Sequence, residues 1–323
     1  MVTDIREKSK KLHKLIAAAD SIAILGHIRP DGDCIGSILG IYNYINDNYK
    51  NKTVDAYAET YSPNFKILSG ARKIKHEPAD ICYDLAISVD ASDTERHGKF
   101  GTVFSNAITT FTIDHHVSNQ GFGDICCIDP DSSSACELIC ELLDMEKLSQ
   151  SAAECLYLGM VHDTGVFKYS STSERTMEIA GKLIALGARP NVIIDETFYK
   201  KSYKQNLLMA KTVLESTLYL DGKVISGYIS KATFKQFKAN TTDTEGIVEQ
   251  LRLTEGVEVA VFIYQLTKKS FKFSLRSKEY VDVSEIATKF GGGGHVHAAG
   301  FETEGNVDDI LGMVLTMVEE QLK

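Results

Sequence analysis

Nowhere in this 323-residue chain is there an apolar run approaching the roughly 20 residues that a membrane-spanning helix needs. Its first residues, MVTDIREKSKKLHKL, lack the apolar core of a secretory signal, so a cytoplasmic protein with no membrane partner is expected. The seven cysteines are odd in number, all in the first half, and form no paired CxxC motifs. That argues against a disulfide framework and a structural zinc site, and for reduced, mostly buried thiols. Positive charge is the minority sign, 35 Lys and Arg against 44 Asp and Glu, for a formal charge of −9. A broad nucleic-acid-coating surface is therefore not expected, and neither is long-duplex nucleic acid as a partner. A short nucleotide in a local pocket remains compatible. Internal repeats and low-complexity tracts are missing as well, apart from four consecutive glycines.

The sequence does hold a globular composition, 43% hydrophobic and 24% charged, so a packed core is expected. The length points to about two domains. Residues 4–19 read as an amphipathic helix, SIAILGH as a short buried strand ending at His27, RPDGD as a turn, and CIGSILGIYNYIND as a helix. TVDAYAE, YDLAISVD, AITTFTID and DICCID read as further strands, with helical segments near 133–147, 150–166 and 173–187. Strands interleaved with helices predict an α/β fold whose mainly parallel sheet is covered on both faces. After about residue 190 the texture changes to a helical connector and then to longer alternating strands, LYLDGKVISGYIS, VEVAVFIYQL and SFKFSLRS, as in a mixed or antiparallel sheet. A helix near 307–322 closes the chain. The expected domains are 1–190, a connector over 191–210, and a smaller α/β domain over 211–323, with a cleft between the two domains.

The predicted strands end on chemically active residues. AILGHIRPDGD offers His27, Asp31 and Asp33; SVDASD offers Asp90; FTIDHH offers Asp114, His115 and His116; and GMVHDTGVF, in or after a helix, offers His162 and Asp163. Each alone reads equally well as a capping or turn residue. Together they could converge on the carboxyl edge of one sheet, where open α/β folds bind ligands. Two imidazoles and four carboxylates exceed the usual three protein ligands of a catalytic zinc. They suit two divalent ions sharing a carboxylate and clamping a phosphoryl group. That donor mix favours Mn²⁺, with Mg²⁺, Co²⁺ or Fe²⁺ as alternatives. Cys34, inside the first segment, reads as a small apolar residue, and His162 as structural. Phe167 and Tyr169 read as core packing.

The C-terminal half offers anion-binding candidates. In GGGGHVHAAG the amides of Gly292, Gly293 and Gly294 could form a nest for a phosphate, with His295 beside them; a flexible turn reads as well. Arg276 in SLRS and Arg252 in EQLRLTEG could fork onto phosphate oxygens, or could be ordinary solvated arginines.

HIRPDGDCIGS, SVDASD, IDHH and GMVHDTGVF resemble, in order, the four motifs of the DHH phosphoesterase superfamily, and GGGGHVHAAG resembles the glycine-rich motif of its associated C-terminal domain. The resemblance covers nearly the whole chain and, in size, is similar to the stand-alone nanoRNase and pAp phosphatase group. It implies that His27 and Asp31 hold a first metal, that Asp33, His115 and Asp163 hold a second, and that Asp90 bridges them. It also implies that His116 faces the substrate and that Asp114 orients an imidazole. The glycine-rich loop would lie opposite the metals, Arg276 would be the better phosphate clamp, Arg252 would stay plausible, and Ser277 would add a hydroxyl. The activity implied is hydrolysis of short oligoribonucleotides to nucleoside 5′-monophosphates, and of pAp to AMP, by two-metal hydroxide attack. A cyclic or linear dinucleotide phosphodiesterase (c-di-AMP, pApA or pGpG) shares the same motifs. An inorganic pyrophosphatase is less compatible with the C-terminal motifs, and a non-catalytic sensor with a full ligand set. A homodimer is allowed.

Overall fold

The computed structural model describes residues 4–323, which divide after Lys200 into two compact units. In the first, five strands run β1 (Ser21–Leu25), β2 (Thr53–Tyr57), β3 (Leu85–Val89), β4 (Thr109–Asp114) and β5 (Ile125–Ile128). They form one sheet of order β2-β1-β3-β4-β5, every pair parallel. Strand order reverses between β1 and β3, so the chain leaves those two strands in opposite directions and opens a crevice at their carboxyl ends. The strands are apolar and short because both faces are covered; β3 is buried at every position.

Helices α1 (Ile5–Ala18), α2 (Gly32–Asn48), α3 (Gly101–Ser105), α4 (Ala135–Leu142), α5 (Gln150–Asp163), α6 (Glu174–Ala185) and α7 (Pro190–Ile194) complete this unit. The segment expected to be helical to 147 ends at Leu142, followed by a separate turn at Met145–Lys147. The one expected to reach 166 ends at Asp163, because Gly165, Val166 and Phe167 all take left-handed backbone angles, with φ of 56°, 62° and 60°. A β-branched valine is uncommon there. The turn is held by the Thr164 hydroxyl, which accepts from the Phe167 amide at 2.9 Å, and by the Val166 amide donating to the Val161 carbonyl at 2.8 Å.

Helix α2 packs against α5 through glycines spaced four apart, Gly32, Gly36 and Gly40. A Cβ on Gly36 would stand 2.5 Å from the Cys155 carbonyl oxygen and 3.0 Å from the Gly159 amide, and one on Gly40 would stand 2.5 Å from Leu156. The stripe removes side chains where two backbones nearly touch, and fixes the start of α2 against the end of α5. Gly36→Ala is therefore expected to cost about 1–3 kcal/mol through overpacking. Gly181→Ala, in α6 with nothing near its Cβ position, should gain about 0.5–1 kcal/mol. Urea unfolding midpoints of the two variants check this contrast of sign.

The second unit begins with α8 (Tyr203–Leu214) and contains β6 (Thr217–Tyr219), β7 (Val224–Ile229), α9 (Lys231–Gln236), α10 (Ile247–Arg252), β8 (Val259–Gln265), β9 (Ser270–Ser277), α11 (Val283–Lys289), β10 (Gly293–His295), β11 (Ala298–Glu304) and α12 (Val307–Leu322). Its sheet, β10-β11-β9-β8-β7-β6, is mixed: only β7 and β8 are parallel. Strand β9 alternates strictly, with Phe271, Phe273, Leu275 and Ser277 on the buried side.

Candidate metal centre

The carboxyl ends of three adjacent strands deliver the first residues. His27 lies two residues beyond β1, Asp90 directly follows β3, and Asp114, His115 and His116 end and follow β4. Asp31 caps the N-terminus of α2, its Oδ1 accepting from the amides of Asp33 and Cys34 at 3.1 Å each. Asp33 sits in the first turn of that helix and Asp163 is the last residue of α5. The glycine contact between the two helices thus sets where three of the carboxylates stand.

These side chains converge. His27 Nε2 lies 3.3 Å from Asp90 Oδ2 and 3.7 Å from Asp31 Oδ1. His115 Nε2 lies 3.1 Å from Asp163, 3.6 Å from Asp90 Oδ1 and 3.8 Å from Asp33. Asp90 is thus the residue shared by both histidines, one carboxylate oxygen toward each. It is almost fully buried and holds a left-handed backbone, φ 53°, a conformation that costs an ordinary residue energy and collects at functional sites.

The electrostatics favour cations at this point. Asp33 is fully buried, and burial together with the charges of Asp90 and Asp163 raises its pKa. It is partly satisfied by the amides of Ala135 and Cys136, at 2.7 and 3.0 Å, at the start of α4. Burial opposes a charge on His115, but Asp163 and Asp90 outweigh it and push its pKa up to about 12. His27 is raised likewise, its burial outweighed by Asp31 and Asp90.

The histidine tautomers fit metal binding. His27 Nδ1 lies 2.7 Å from the Ile28 carbonyl and His115 Nδ1 lies 3.3 Å from the Ser132 carbonyl. A carbonyl can only accept, so each Nδ1 carries a proton; the raised pKa values mean that Nε2 also carries one toward the carboxylates in the metal-free state, and losing that second proton leaves a lone pair on Nε2 for a metal ion. Asp31, Asp33, Asp90 and Asp163 carry four negative charges when ionised, which two divalent ions would balance. Among the described residues, three groups of side chains bring ligand atoms close enough to hold an ion: Asp33, His115 and Asp163; Asp90, His115 and His116; and His27, Cys34 and Asp90. Burial pushes the Cys34 thiol up to about 11, so it packs as a neutral group.

His116 is arranged differently. Its Nδ1 donates to Asp114 at 2.7 Å, leaving Nε2 unused, and its side chain is 41% exposed. Asp114 is fully buried and also accepts from Asn119 Nδ2 at 2.7 Å. The hydrogen bond from His116 to Asp114 raises the imidazole's pKa against a smaller penalty of burial, so a protonated ring is favoured. Asp114→Asn should lower kcat/KM about 10- to 100-fold, the usual effect of losing a partner that orients a site residue. Kinetics and metal content measured together check this, since metal content should stay near that of the wild type.

His162 stays outside the cluster. Its ring packs edge-on against Phe65 and Phe198, with Nε2 3.1 Å from the Thr197 hydroxyl, and burial lowers its pKa to about 4. Sequence reasoning missed Asn119, the Ser132 carbonyl and Arg96, whose guanidinium approaches His27 Nδ1 at 3.4 Å.

The candidates in the second unit fare unevenly. Arg276 projects from the face of β9 opposite Phe271, Phe273 and Leu275, its guanidinium donating to the Leu275 carbonyl at 2.9 Å. Ser277 is buried with its hydroxyl 2.9 Å from His297 Nδ1. Adjacent residues of a strand point to opposite faces, so the Ser277 side chain faces away from that of Arg276. Arg252 forks onto Glu249, its Nε 2.9 Å from Oε2. The glycine run is no loose turn. Gly293 and Gly294 belong to β10, paired with Gly300 and Ala299, and the Gly292 amide donates to the Ala287 carbonyl at 2.9 Å, which removes it from the anion-binding donors. His295 is exposed at the end of β10.

Comparison with known proteins follows this division. Residues 21–160 match the DHH family, N-terminal domain, and residues 221–320 match the DHHA1 domain. The chain is 27% identical over 321 residues to the bifunctional oligoribonuclease and PAP phosphatase NrnA of Thermus thermophilus, covering 98% of this chain and 95% of the relative. It is 28% identical over 312 residues to the cyclic-di-AMP phosphodiesterase PdeA of Listeria monocytogenes, covering 90% of this chain but 46% of that protein. The crystal structure of an exopolyphosphatase-related protein from Bacteroides fragilis superposes with a TM-score of 0.86 at 26% identity, covering 98% of this chain and 96% of that one.

Proposed function

The chain belongs to the DHH family, its N-terminal domain followed by a DHHA1 domain, and on that premise we propose that it hydrolyses short oligoribonucleotides to nucleoside 5′-monophosphates and pAp to AMP. The observation that carries the proposal is the convergence of four carboxylates on His27 and His115, each imidazole turned inward by a main-chain carbonyl. In this reading His27 and Asp31 hold one divalent ion, Asp33, His115 and Asp163 hold another, and Asp90 serves both. Carboxylate and imidazole together favour Mn²⁺. When bound, the ions supply Lewis-acid stabilisation of the attacking and leaving oxygens.

The remaining work falls to the chain's own groups. Asp114 holds His116 with its proton on Nδ1 and Nε2 outward. The favoured protonated ring can donate from Nε2 to a phosphoryl or leaving oxygen. Arg276, His295 and the amides of Gly293 and Gly294 bind the substrate beyond the scissile phosphate; Arg252 would first have to leave Glu249. The seven free thiols suit a reducing compartment, and we place the enzyme in the cytoplasm.

A second reading, dinucleotide phosphodiesterase, is favoured by the similarity to the Listeria protein. A substrate panel separates them: kcat/KM in Mn²⁺ for pAp, pApA, short RNAs, cyclic dinucleotides and pyrophosphate. Short RNA and pAp are expected to lead. Preference for a cyclic dinucleotide would select the second reading, and preference for pyrophosphate would overturn both.

A further inference from the structure

A cavity of about 470 Å³ opens beside the loop that joins His27 to Asp31. Its size falls within the range of small-molecule sites. Arg29 of that loop forms one wall, and Glu59, Tyr61, His76, Glu77 and Lys99 line the rest. All belong to the first unit.

Arg29 is held in an unusual way. It is exposed, with φ 55°, and its amide donates to Glu59 Oε2 at 3.2 Å. Its guanidinium makes no hydrogen bond or ion pair with any described residue. The backbone thus pays a conformational cost to present a free fork one turn from the metal ligands. Lys99 is the other cation lining the cavity, 2.8 Å from Glu77.

The aromatic wall is fixed as well. The Tyr61 and His76 rings lie 6.0 Å apart, tilted by 37°. Tyr61 donates its hydroxyl to the Ala71 carbonyl at 2.6 Å, and His76 Nδ1 is 2.9 Å from the Ala58 carbonyl. Neither ring is free to swing away.

A bare anion would suit Arg29 and Lys99 but would meet Glu59 and Glu77. A neutral heterocycle would leave the free guanidinium without a partner. A nucleotide satisfies all of them: phosphate oxygens for the cations, a flat ring for the aromatic wall, and amino protons for the carboxylates. We infer that this cavity is a nucleotide subsite that takes the residue next to the scissile phosphate. The inference rests on the phosphoesterase reading and adds a substrate-holding site within the same unit as the metal ligands.

The test compares wild type, Arg29→Ala and Lys99→Ala, the last lying far in sequence from the metal-ligand loop. With pApA, loss of a charge-assisted phosphate contact should raise KM about 10-fold or more for Arg29→Ala, with kcat changed far less. The loss with bis-p-nitrophenyl phosphate, which has no second nucleotide, should be at least several-fold smaller. Equal losses on both substrates, or a fall confined to kcat, would overturn the subsite. Binding of AMP to the chelator-treated full chain, followed by NMR, gives an independent readout. Weaker binding in both variants supports the subsite, and unchanged affinity overturns it. A wild type that turns over none of the phosphodiesters would defeat the phosphoesterase reading, and the AMP titration would still decide the subsite.

Discussion

Asp90→Asn is expected to lower kcat/KM by about three orders of magnitude or more, the scale of several kcal/mol of lost charge stabilisation. The reason is position. One Asp90 oxygen faces His27 at 3.3 Å and the other faces His115 at 3.6 Å, so one side chain serves both halves of the cluster. The amide is close in shape, and Asn tolerates the left-handed backbone that Asp90 holds, so folding should survive. Metal content should fall, and chelation of the wild type should reproduce the loss reversibly. A useful companion is Asp90→Gly, which removes both the conformational cost and the repulsion felt by Asp33. It also takes a partner from both imidazoles, and it should be equally inactive. Near wild-type turnover in Asp90→Asn with normal metal content would overturn the bridging role.

Arg276→Ala should lower kcat/KM for pAp or pApA roughly 10- to 150-fold, the equivalent of the about 1.5–3 kcal/mol carried by a charge-assisted bidentate contact. The loss should be markedly smaller for bis-p-nitrophenyl phosphate, which has no second phosphate. Variants of the metal ligands should instead lose both activities in parallel. Arg276 lies on the face of β9 opposite Phe271, Phe273 and Leu275, so its removal leaves that core intact. Thermal unfolding should therefore move little. Equal losses on the two substrates would mean that the arginine does not hold the distal phosphate.

Much of the candidate metal cluster was legible because it is written in side chains at strand ends. His27, Asp90 and His115 follow short, β-branched apolar runs that read as buried strands between helices. What escaped was written in main chain or in spacing. The carbonyls of Ile28 and Ser132 that set the imidazole tautomers have no residue signature. Asn119 is one asparagine among many until Asp114 is seen beneath it. The glycines at 32, 36 and 40 were visible, but helical periodicity alone gives no hint of which neighbour they meet. Strand alternation, readable in SLRS, already puts Ser277 on the face opposite Arg276. The Gly292 amide could not be read, because its acceptor, the Ala287 carbonyl, comes from a helix end rather than from the glycine run.

The glycine seam between α2 and α5 also bears on how the site meets its ions. Asp31 and Asp33 open one helix and Asp163 closes the other, and the two backbones touch along the seam. Fluctuations that separate these carboxylates must pull apart a tightly packed pair of buried helices. Such openings approach global unfolding in free energy. The amides of both helices should therefore be among the slowest to exchange with solvent deuterium, with ions or without them. Loading would then resemble docking into a mould already cast, and its rate would follow collision and ligand desolvation rather than any refolding of the chain.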